Sequence, residues 1–201
     1  MQRYRSISGG VFLIGVIFLA FGIPYLVVFA EPSAKWIRTF DGIGDDEAYS
    51  VQVDDIGYVL TGITNSSGFG QYDAWLIKTD SSGDIKWNRT YGGLLNDRVD
   101  SLVTTGDGGY VLAGSTTSFG AGSTDVWLVK VDSFGNLEWN QTYGGSIADY
   151  CDSMVVSSDG GYTLACISQT PTFGDGVFWL VKVDSVGNLE WNQTLWSFCA
   201  S

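Results

Sequence analysis

The feature that most constrains this chain is a repeat of 52 residues. Tryptophans and Gly-Tyr pairs recur at that spacing: Trp75, Trp127 and Trp179, and the pairs that begin at Gly57, Gly109 and Gly161. A second tryptophan series has spacings of 51, 52 and 52 residues: Trp36, Trp87, Trp139 and Trp191. A fixed period of about this length marks an array of supersecondary units that bury their apolar faces only against one another. The chain is therefore predicted to fold as a short array of equivalent units.

Each repeat is predicted to contain four β-strands. In the unit at 97–143 they are strand a (97–105), strand b (110–114), strand c (126–131) and strand d (137–143). Gly- and Asp-rich sequences separate a from b and c from d, and these residue types tolerate the backbone angles of tight turns. Strands b and c are apolar on both faces, which indicates burial between neighbouring sheets. Strand d alternates between polar and apolar residues, as an edge strand does.

Four-stranded sheets that repeat in this way are typical of β-propeller blades. We predict an all-β fold with three blades of about 52 residues, at 41–92, 93–144 and 145–195, within a repeat domain at 31–201. An extra d-strand is predicted at Lys35–Phe40. A β-sandwich is the alternative, but it does not explain the regular period. Because propellers close with about four to eight blades, three blades indicate either a fragment of a longer propeller or a homodimer with six.

The unit Tyr110–Gly145, YVLAGSTTSFGAGSTDVWLVKVDSFGNLEWNQTYGG, resembles repeats of prokaryotic, including archaeal, cell-surface and secreted β-propeller proteins. The resemblance covers nearly all of residues 35–195. The turn Asp132-x-x-Gly135-x-x-x-Trp139 is also similar to the tryptophan-docking motif of quinoprotein-like propellers, with one residue fewer before the glycine. In that family the tryptophan packs between blades, so the resemblance implies a structural tryptophan and no quinone cofactor. The repeat length is near that of kelch repeats, although the Tyr and Trp spacing differs.

The amino-terminal segment indicates where the protein works. Residues 11–30 carry no charged side chain, and Arg3 and Arg5 precede them. A run of about 18 or more apolar residues can cross a membrane as a helix, and basic residues before it orient the rest of the chain outward. Residues 1–30 are predicted to be a transmembrane anchor or a cleaved signal peptide, and a buried core helix is a third interpretation. Either of the first two places residues 31–201 at the cell surface or outside the cell.

The part of the chain after residue 30 is strongly acidic. It contains 8 of the 10 basic residues and all 22 acidic ones, so its formal charge is −14. Nucleic acids and anionic membrane surfaces need positive patches. Neither is therefore predicted as a partner, and membrane contact is expected only through residues 11–30 if they are not cleaved. Solubility outside the cell is the preferred explanation of the charge, and cation binding is the alternative.

No catalytic residue, metal site or cofactor is predicted, and the chain is predicted not to be an enzyme. It has no histidine, which is the commonest general base and the commonest metal ligand. No nucleophile, base and acid form a recognisable set. Calcium is the weaker interpretation of the densest acidic cluster, which lacks EF-hand spacing. This cluster contains Asp41, Asp45, Asp46 and Glu47.

The charged residues that recur in every unit are interpreted as structural, because an active site needs only one copy. The aspartates are predicted to form turns and caps: Asp46, Asp97 and Asp149 at the start of strand a, Asp55, Asp107 and Asp159 in the a–b turn, and Asp80, Asp132 and Asp184 in the c–d turn. Lysines also recur inside the apolar strand c: Lys78, Lys130 and Lys182. Such a lysine needs a partner, and pairing with the aspartates at the start of strand a is predicted.

Two covalent modifications are candidates. Cys151 and Cys166 are predicted on neighbouring strands and are the preferred disulfide pair, which leaves Cys199 over. The alternative is three unpaired cysteines. Four sequons are candidate N-glycosylation sites, and the alternative is simple pairing of Asn and Thr on an exposed strand. Their asparagines are Asn65, Asn88, Asn140 and Asn192.

The predicted function is the binding of a protein or a surface glycan, or display at the cell surface. The partner is expected at the ends of the a-strands or at three Ser/Thr/Gly-rich loops: Thr64–Tyr72, Ser115–Thr124 and Ser168–Gly176. Seven of the eight tryptophans are repeat-equivalent and are interpreted as packing between blades rather than as a carbohydrate groove. The alternatives are a fragment of an exported propeller enzyme, such as a hydrolase, lyase or quinoprotein-type oxidoreductase, and a structural cell-surface component.

Overall fold

The computed structural model describes residues 13–18, 24–29, 36–169 and 176–195, the first two ranges for the backbone only. The chain divides into two compact units, Met1–Arg38 and Thr39–Ser201. Some predictions concern positions outside the described residues. They are Cys199, residues 170–175 of the third predicted binding loop, and Lys35.

The described part of the first unit differs from the helix expected there. Two strands, β1 (Leu13–Phe18) and β2 (Pro24–Phe29), pair antiparallel. Both are rich in β-branched and aromatic residues, which favour strands, and Pro24 cannot donate the hydrogen bond that a helix interior requires. Among the described residues, no helix has the length and apolar character needed to cross a membrane. The function of residues 1–30 as an anchor or signal peptide stays a prediction.

Over its described residues, the second unit contains twelve strands in three antiparallel sheets of four, so the all-β prediction is confirmed. Sheet 1 consists of β3 (Asp46–Val53), β4 (Gly57–Thr64), β5 (Asp73–Asp80) and β6 (Ile85–Tyr91). Sheet 2 consists of β7 (Asp97–Thr104), β8 (Tyr110–Thr116), β9 (Asp125–Val131) and β10 (Leu137–Tyr143). Sheet 3 consists of β11 (Asp149–Val156), β12 (Tyr162–Gln169), β13 (Gly176–Val183) and β14 (Leu189–Leu195). The extra d-strand predicted at 35–40 is not formed over its described residues, 36–40.

The c–d turn of each sheet is built around an aspartate, as predicted. In sheet 2, Asp132 Oδ1 accepts hydrogen bonds from the backbone N–H groups of Phe134 and Asn136, both at 2.8 Å. Gly135 in this turn has a φ of 78°, which a residue with a side chain rarely adopts. Asp80 and Asp184 accept the equivalent bonds in sheets 1 and 3.

Two hydrophobic cores lie between the sheets. The core between sheets 1 and 2 contains Val59, Leu76, Leu102, Leu112 and Val129 among others, and all five are almost fully buried. The core between sheets 2 and 3 is built in the same way from repeat-equivalent positions. Because sheet 2 has a neighbour on each face, every residue of β8 and β9 is buried.

Tyrosines at the end of strand d connect each sheet to the next. Tyr91 donates its hydroxyl to the Gly135 carbonyl at 2.7 Å, and Tyr143 donates to the Gly187 carbonyl at 2.6 Å. Trp87 packs against Gly135 from the same side. These recurring aromatic residues therefore hold neighbouring sheets together, which agrees with their interpretation as structural.

Candidate functional site

The candidate site is a groove of about 420 Å³ between sheets 1 and 2, which we call the aromatic groove. Aromatic and polar side chains share its lining: Phe69, Arg89, Tyr91, Phe119, Trp127 and Asn140. The ring centroids of Phe119 and Trp127 lie 5.8 Å apart. Phe69 is 85% exposed and Phe119 is 42% exposed. The groove therefore offers rings to a ligand while most large apolar side chains of the sheet junction are buried.

Two loops carry the exposed rings, and buried polar side chains fix both loops. Phe69 lies between β4 and β5, where the Asp73 carboxylate accepts hydrogen bonds from the N–H groups of Phe69 and Gly70 at 2.8 and 3.2 Å. Phe119 lies in the equivalent loop of sheet 2, and its N–H donates to Thr116 Oγ1 at 3.2 Å. Both loops belong to the Ser/Thr/Gly-rich segments that the sequence singled out for binding.

The sequon asparagine on each d-strand accepts a hydrogen bond from a cross-strand tryptophan. In the aromatic groove, Trp127 Nε1 donates to Asn140 Oδ1 at 3.4 Å. The other pairs are Trp75 with Asn88 at 3.4 Å and Trp179 with Asn192 at 3.1 Å. These asparagines are exposed, as is Asn65. Orientation of the indole explains why three asparagines recur, and glycosylation at the four sites stays a prediction.

Two buried carboxylates meet at the edge of the aromatic groove. Asp73 is 2% exposed and Asp97 is 0% exposed. Asp97 Oδ2 lies 2.7 Å from the position that a Cβ at Gly92 would take, and Asp73 Oδ1 lies still closer to it. Burial raises the pKa of Asp73, and the charge of Asp97 raises it further, whereas hydrogen bonds from Gly70 and Phe69 oppose the change.

The aspartates at the start of strand a fix the connection from the preceding d-strand. Asp97 accepts hydrogen bonds from the Gly93 N–H at 2.6 Å, from Ser118 Oγ at 2.7 Å and from Thr116 Oγ1. Asp46 and Asp149 accept the corresponding N–H bonds from Gly42 and Gly145 at 2.7 and 2.8 Å. These aspartates are therefore cap residues, as expected.

The predicted pairing of these aspartates with the strand-c lysines is wrong. Lys130 instead pairs with Asp107 at 3.0 Å and with Glu138 at 2.8 Å. The register explains the difference, because Asp97 lies opposite Thr116 at one end of the sheet and Lys130 lies opposite Val111 near the other. Lys182 makes the equivalent pairs with Asp159 and Glu190, both at 2.9 Å.

A second cleft, of about 650 Å³, lies between sheets 1 and 2 at the end that holds the tight turns. Here Lys78 contacts the carboxylate of Asp54 and donates to the Tyr110 hydroxyl at 3.2 Å. Tyr110 in turn donates to Asp54 Oδ2 at 2.8 Å. Burial lowers the pKa of Lys78. In Lys130 burial has the same effect, but hydrogen bonds to Glu138 and Asp107 and their charges outweigh it and raise the pKa.

Cys151 and Cys166 are directly opposite each other on β11 and β12, as the sequence indicated. Both thiols are buried and free. A hydrogen bond with Cys151, together with burial, raises the pKa of the Cys166 thiol. The disulfide itself stays a prediction.

Sequence reasoning missed several residues of the site. Asp73 and Asp125 are 52 residues apart and each stands two positions before a recurring tryptophan, so comparison of the repeats could have found them. Asp54 takes the role expected of Asp55, because its Oδ1 accepts the N–H bonds that form the a–b turn. A Phe-Gly pair recurs in the loop before strand c of every repeat, beginning at residues 69, 119 and 173, so the same comparison could have found the groove phenylalanines. Within the described ranges, no three Asp, Glu, Cys or His side chains group as metal ligands, the acidic cluster at 41–47 included.

The described fold and groove define an all-β repeat protein. No family model matches the chain. The chain is similar to the regulatory protein FlaEY of Caulobacter vibrioides, with 26% identity over an alignment of 122 residues. The alignment covers 53% of this chain and 13% of FlaEY, so the chain spans a small part of that protein's length.

Proposed function

We propose that this chain is an extracytoplasmic β-propeller module that binds a surface glycan or a protein partner through the aromatic groove. Three equivalent four-stranded sheets, packed face against face, support the assignment of the sheets as blades. The uncharged segment at 11–30 and the acidic charge of the remaining chain support a location outside the cytoplasm.

The lining of the aromatic groove is the observation that carries the binding function, and it favours a glycan. A sugar ring has an apolar face of C–H groups, which packs on exposed aromatic rings such as Phe69 and Phe119. Its hydroxyl groups need donors and acceptors, which Arg89 and Asn140 supply from the same lining. Ligand sites commonly combine apolar walls with a few polar groups in this way.

A variant pair tests this function on the full chain against a panel of immobilised oligosaccharides of defined sequence. The double variant Phe69→Ala/Phe119→Ala removes both exposed rings. Because each aromatic contact contributes about 0.5–1.5 kcal/mol beyond its area, we expect the dissociation constant to rise about tenfold or more. The matched control is Phe134→Ala, since Phe134 is 67% exposed but lies in a tight turn outside the groove.

Three outcomes separate the alternatives. Saturable glycan binding that the double variant loses and the control retains supports the proposal. Saturable binding that both variants retain contradicts the groove as the site. A chain that binds no oligosaccharide but captures a protein through the same two rings indicates a protein partner instead of a glycan.

A further inference from the structure

We propose that a calcium ion binds between the paired buried carboxylates at each sheet junction, Asp73 with Asp97 and Asp125 with Asp149. The ion would join neighbouring sheets, because each pair takes one aspartate from each sheet. This proposal does not rest on glycan binding, although Asp73 also lines the aromatic groove, and it differs from the sequence expectation, which assigned no metal.

The first junction contains an oxygen that the described residues leave without a partner. Asp73 Oδ2 accepts two backbone hydrogen bonds, from Phe69 and Gly70. Asp73 Oδ1 is buried and has no hydrogen-bond partner in the part of the chain that the structure describes. It points towards the Cβ position of Gly92, which Asp97 Oδ2 also approaches, at 2.7 Å. A bound cation would compensate the desolvation of such a buried acceptor.

The second junction repeats this arrangement. Asp125 and Asp149 are 1% and 2% exposed, and both carboxylates approach Gly144 as the first pair approaches the equivalent glycine. Gly122 N–H donates to Asp125 Oδ2 at 2.9 Å, and Gly145 N–H donates to Asp149 Oδ2 at 2.8 Å. Asp149 Oδ1 is buried and, within the described ranges, unpartnered. The pair of buried carboxylates therefore recurs at both junctions, although the unpartnered oxygen belongs to the strand-c aspartate at the first and to the strand-a aspartate at the second.

Charge also indicates a cation. None of the four carboxylates forms an ion pair with a described lysine or arginine, since those side chains pair with other carboxylates or lie elsewhere. Two like charges buried side by side strongly disfavour each other unless a cation or a proton neutralises them. A divalent cation would neutralise both carboxylates of a pair at once.

The available ligands are all oxygens, which suits calcium. Besides the two carboxylates, the carbonyl oxygens of Gly93 and Leu95 lie beside Gly70, whose N–H donates to Asp73. At the second junction, the carbonyl oxygens of residues 145 and 147 lie beside residue 122 in the same way. Water would complete the coordination. Two carboxylates are a small ligand charge, so we expect affinity in the weaker range of calcium sites.

Terbium(III), a luminescent substitute for Ca²⁺, tests the site directly. Tyr91 and Trp127 line the same groove as Asp73, so excitation of these rings should sensitise terbium bound there. On the full chain freed of metal with EDTA, we expect two luminescent sites per chain. Asp73→Asn should reduce this to one, and Asp73→Asn with Asp125→Asn should abolish both. The control is Asp132→Asn, which removes a cap carboxylate from an exposed turn and should leave both sites intact.

A measurement on the unmodified chain avoids dependence on the folding of the variants. Saturating Ca²⁺ should raise the melting temperature by about 5 °C or more relative to EDTA, because the ion binds only the folded junctions. Two equivalents of bound Ca²⁺ per chain in equilibrium dialysis would agree with this. Absence of stoichiometric binding together with an unchanged melting temperature would overturn the proposal, and would mean that a shared proton neutralises each pair.

Discussion

At the scale of single residues, the strand-c lysines explain how a charged side chain is kept inside an apolar strand. Lys130 is 5% exposed. It contacts Asp107 and Glu138, and its ammonium also donates to the Val131 carbonyl at 3.1 Å. Each hydrogen bond satisfies one donor of the ammonium group. Loss of the two carboxylates should therefore destabilise the fold more than loss of the lysine, because the lysine is buried whereas the carboxylates are half-exposed.

This asymmetry gives a residue-scale prediction. Lys130→Met retains the packing of the stem and should change the free energy of unfolding by no more than about 1 kcal/mol. The double variant Asp107→Asn/Glu138→Gln leaves a buried ammonium without its counter-charges and should cost about 2 kcal/mol. That is below the 3–5 kcal/mol typical of fully buried pairs, because these carboxylates are partly exposed. Urea unfolding measures both changes.

The control for that comparison is Lys86→Met. Lys86 pairs with Asp80 at 3.0 Å but is half-exposed, so its loss should cost no more than about 0.5 kcal/mol. If Lys130→Met proved clearly more destabilising than the loss of both carboxylates, the lysine would have a role other than the one described.

At the scale of elements, the c–d turn combines two requirements in one glycine. Gly135 has a φ of 78°, and a Cβ there would lie 2.8 Å from the Trp87 ring and 2.9 Å from the Arg89 side chain. Gly135→Ala should therefore destabilise the fold by about 2–4 kcal/mol, since a left-handed residue and an overpacked contact each add to the cost. The free energy of unfolding in urea is the measurement.

Two other glycines separate these contributions. Gly160 has a φ of 86° but nothing lies within 4 Å of its Cβ position, so Gly160→Ala should show the backbone cost alone, about 1–2 kcal/mol. Gly106 also has an open Cβ position, and no positive φ is recorded for it, so Gly106→Ala should be nearly neutral. Equal effects at Gly135 and Gly160 would show that the packing of Trp87 on the turn does not matter.

The strands were predictable at this scale and their irregularities were not. In the repeat at 97–143, the expected strands b, c and d match β8, β9 and β10 to within two residues. Continuous apolar runs define b and c, a period-two pattern defines d, and Gly/Asp turns mark their ends. Each a-strand also contains a register shift at an equivalent position, for example between Val99 and Ser101. Nothing in the composition of the a-strands indicates this bulge, because it depends on the geometry of the partner strand.

The candidate site was less predictable than the strands because it, like the bulge, depends on the geometry of a neighbouring part of the fold. Two of the loops were correctly singled out as surface segments. The aromatic groove, however, arises only where Phe69 and Tyr91 of one repeat meet Phe119 and Trp127 of the next at a sheet junction. The lysine pairing failed because the strand register, rather than sequence spacing, decides which end of the sheet a side chain reaches.

At the scale of the whole molecule, packing between equivalent sheets decides which side chains of the three sheets are buried. Leu102 and Met154 are 1% and 4% exposed because each faces a preceding sheet, whereas their equivalent in sheet 1, Val51, is 57% exposed. Likewise Trp191 in sheet 3 is 48% exposed, while Trp87 and Trp139 are partly buried against the following sheet. Stability should therefore be greatest in sheet 2 and lower in sheets 1 and 3.

Hydrogen exchange of the full chain, resolved to peptides by mass spectrometry, tests this three-sheet packing most directly. Backbone amides exchange slowly where opening requires disruption of the core. We predict the slowest exchange in β8 and β9, intermediate rates in β4, β5, β12 and β13, and the fastest rates in the exposed loops. Equal protection of the three sheets, or faster exchange in β8 and β9 than in the strands of sheets 1 and 3, would contradict the account.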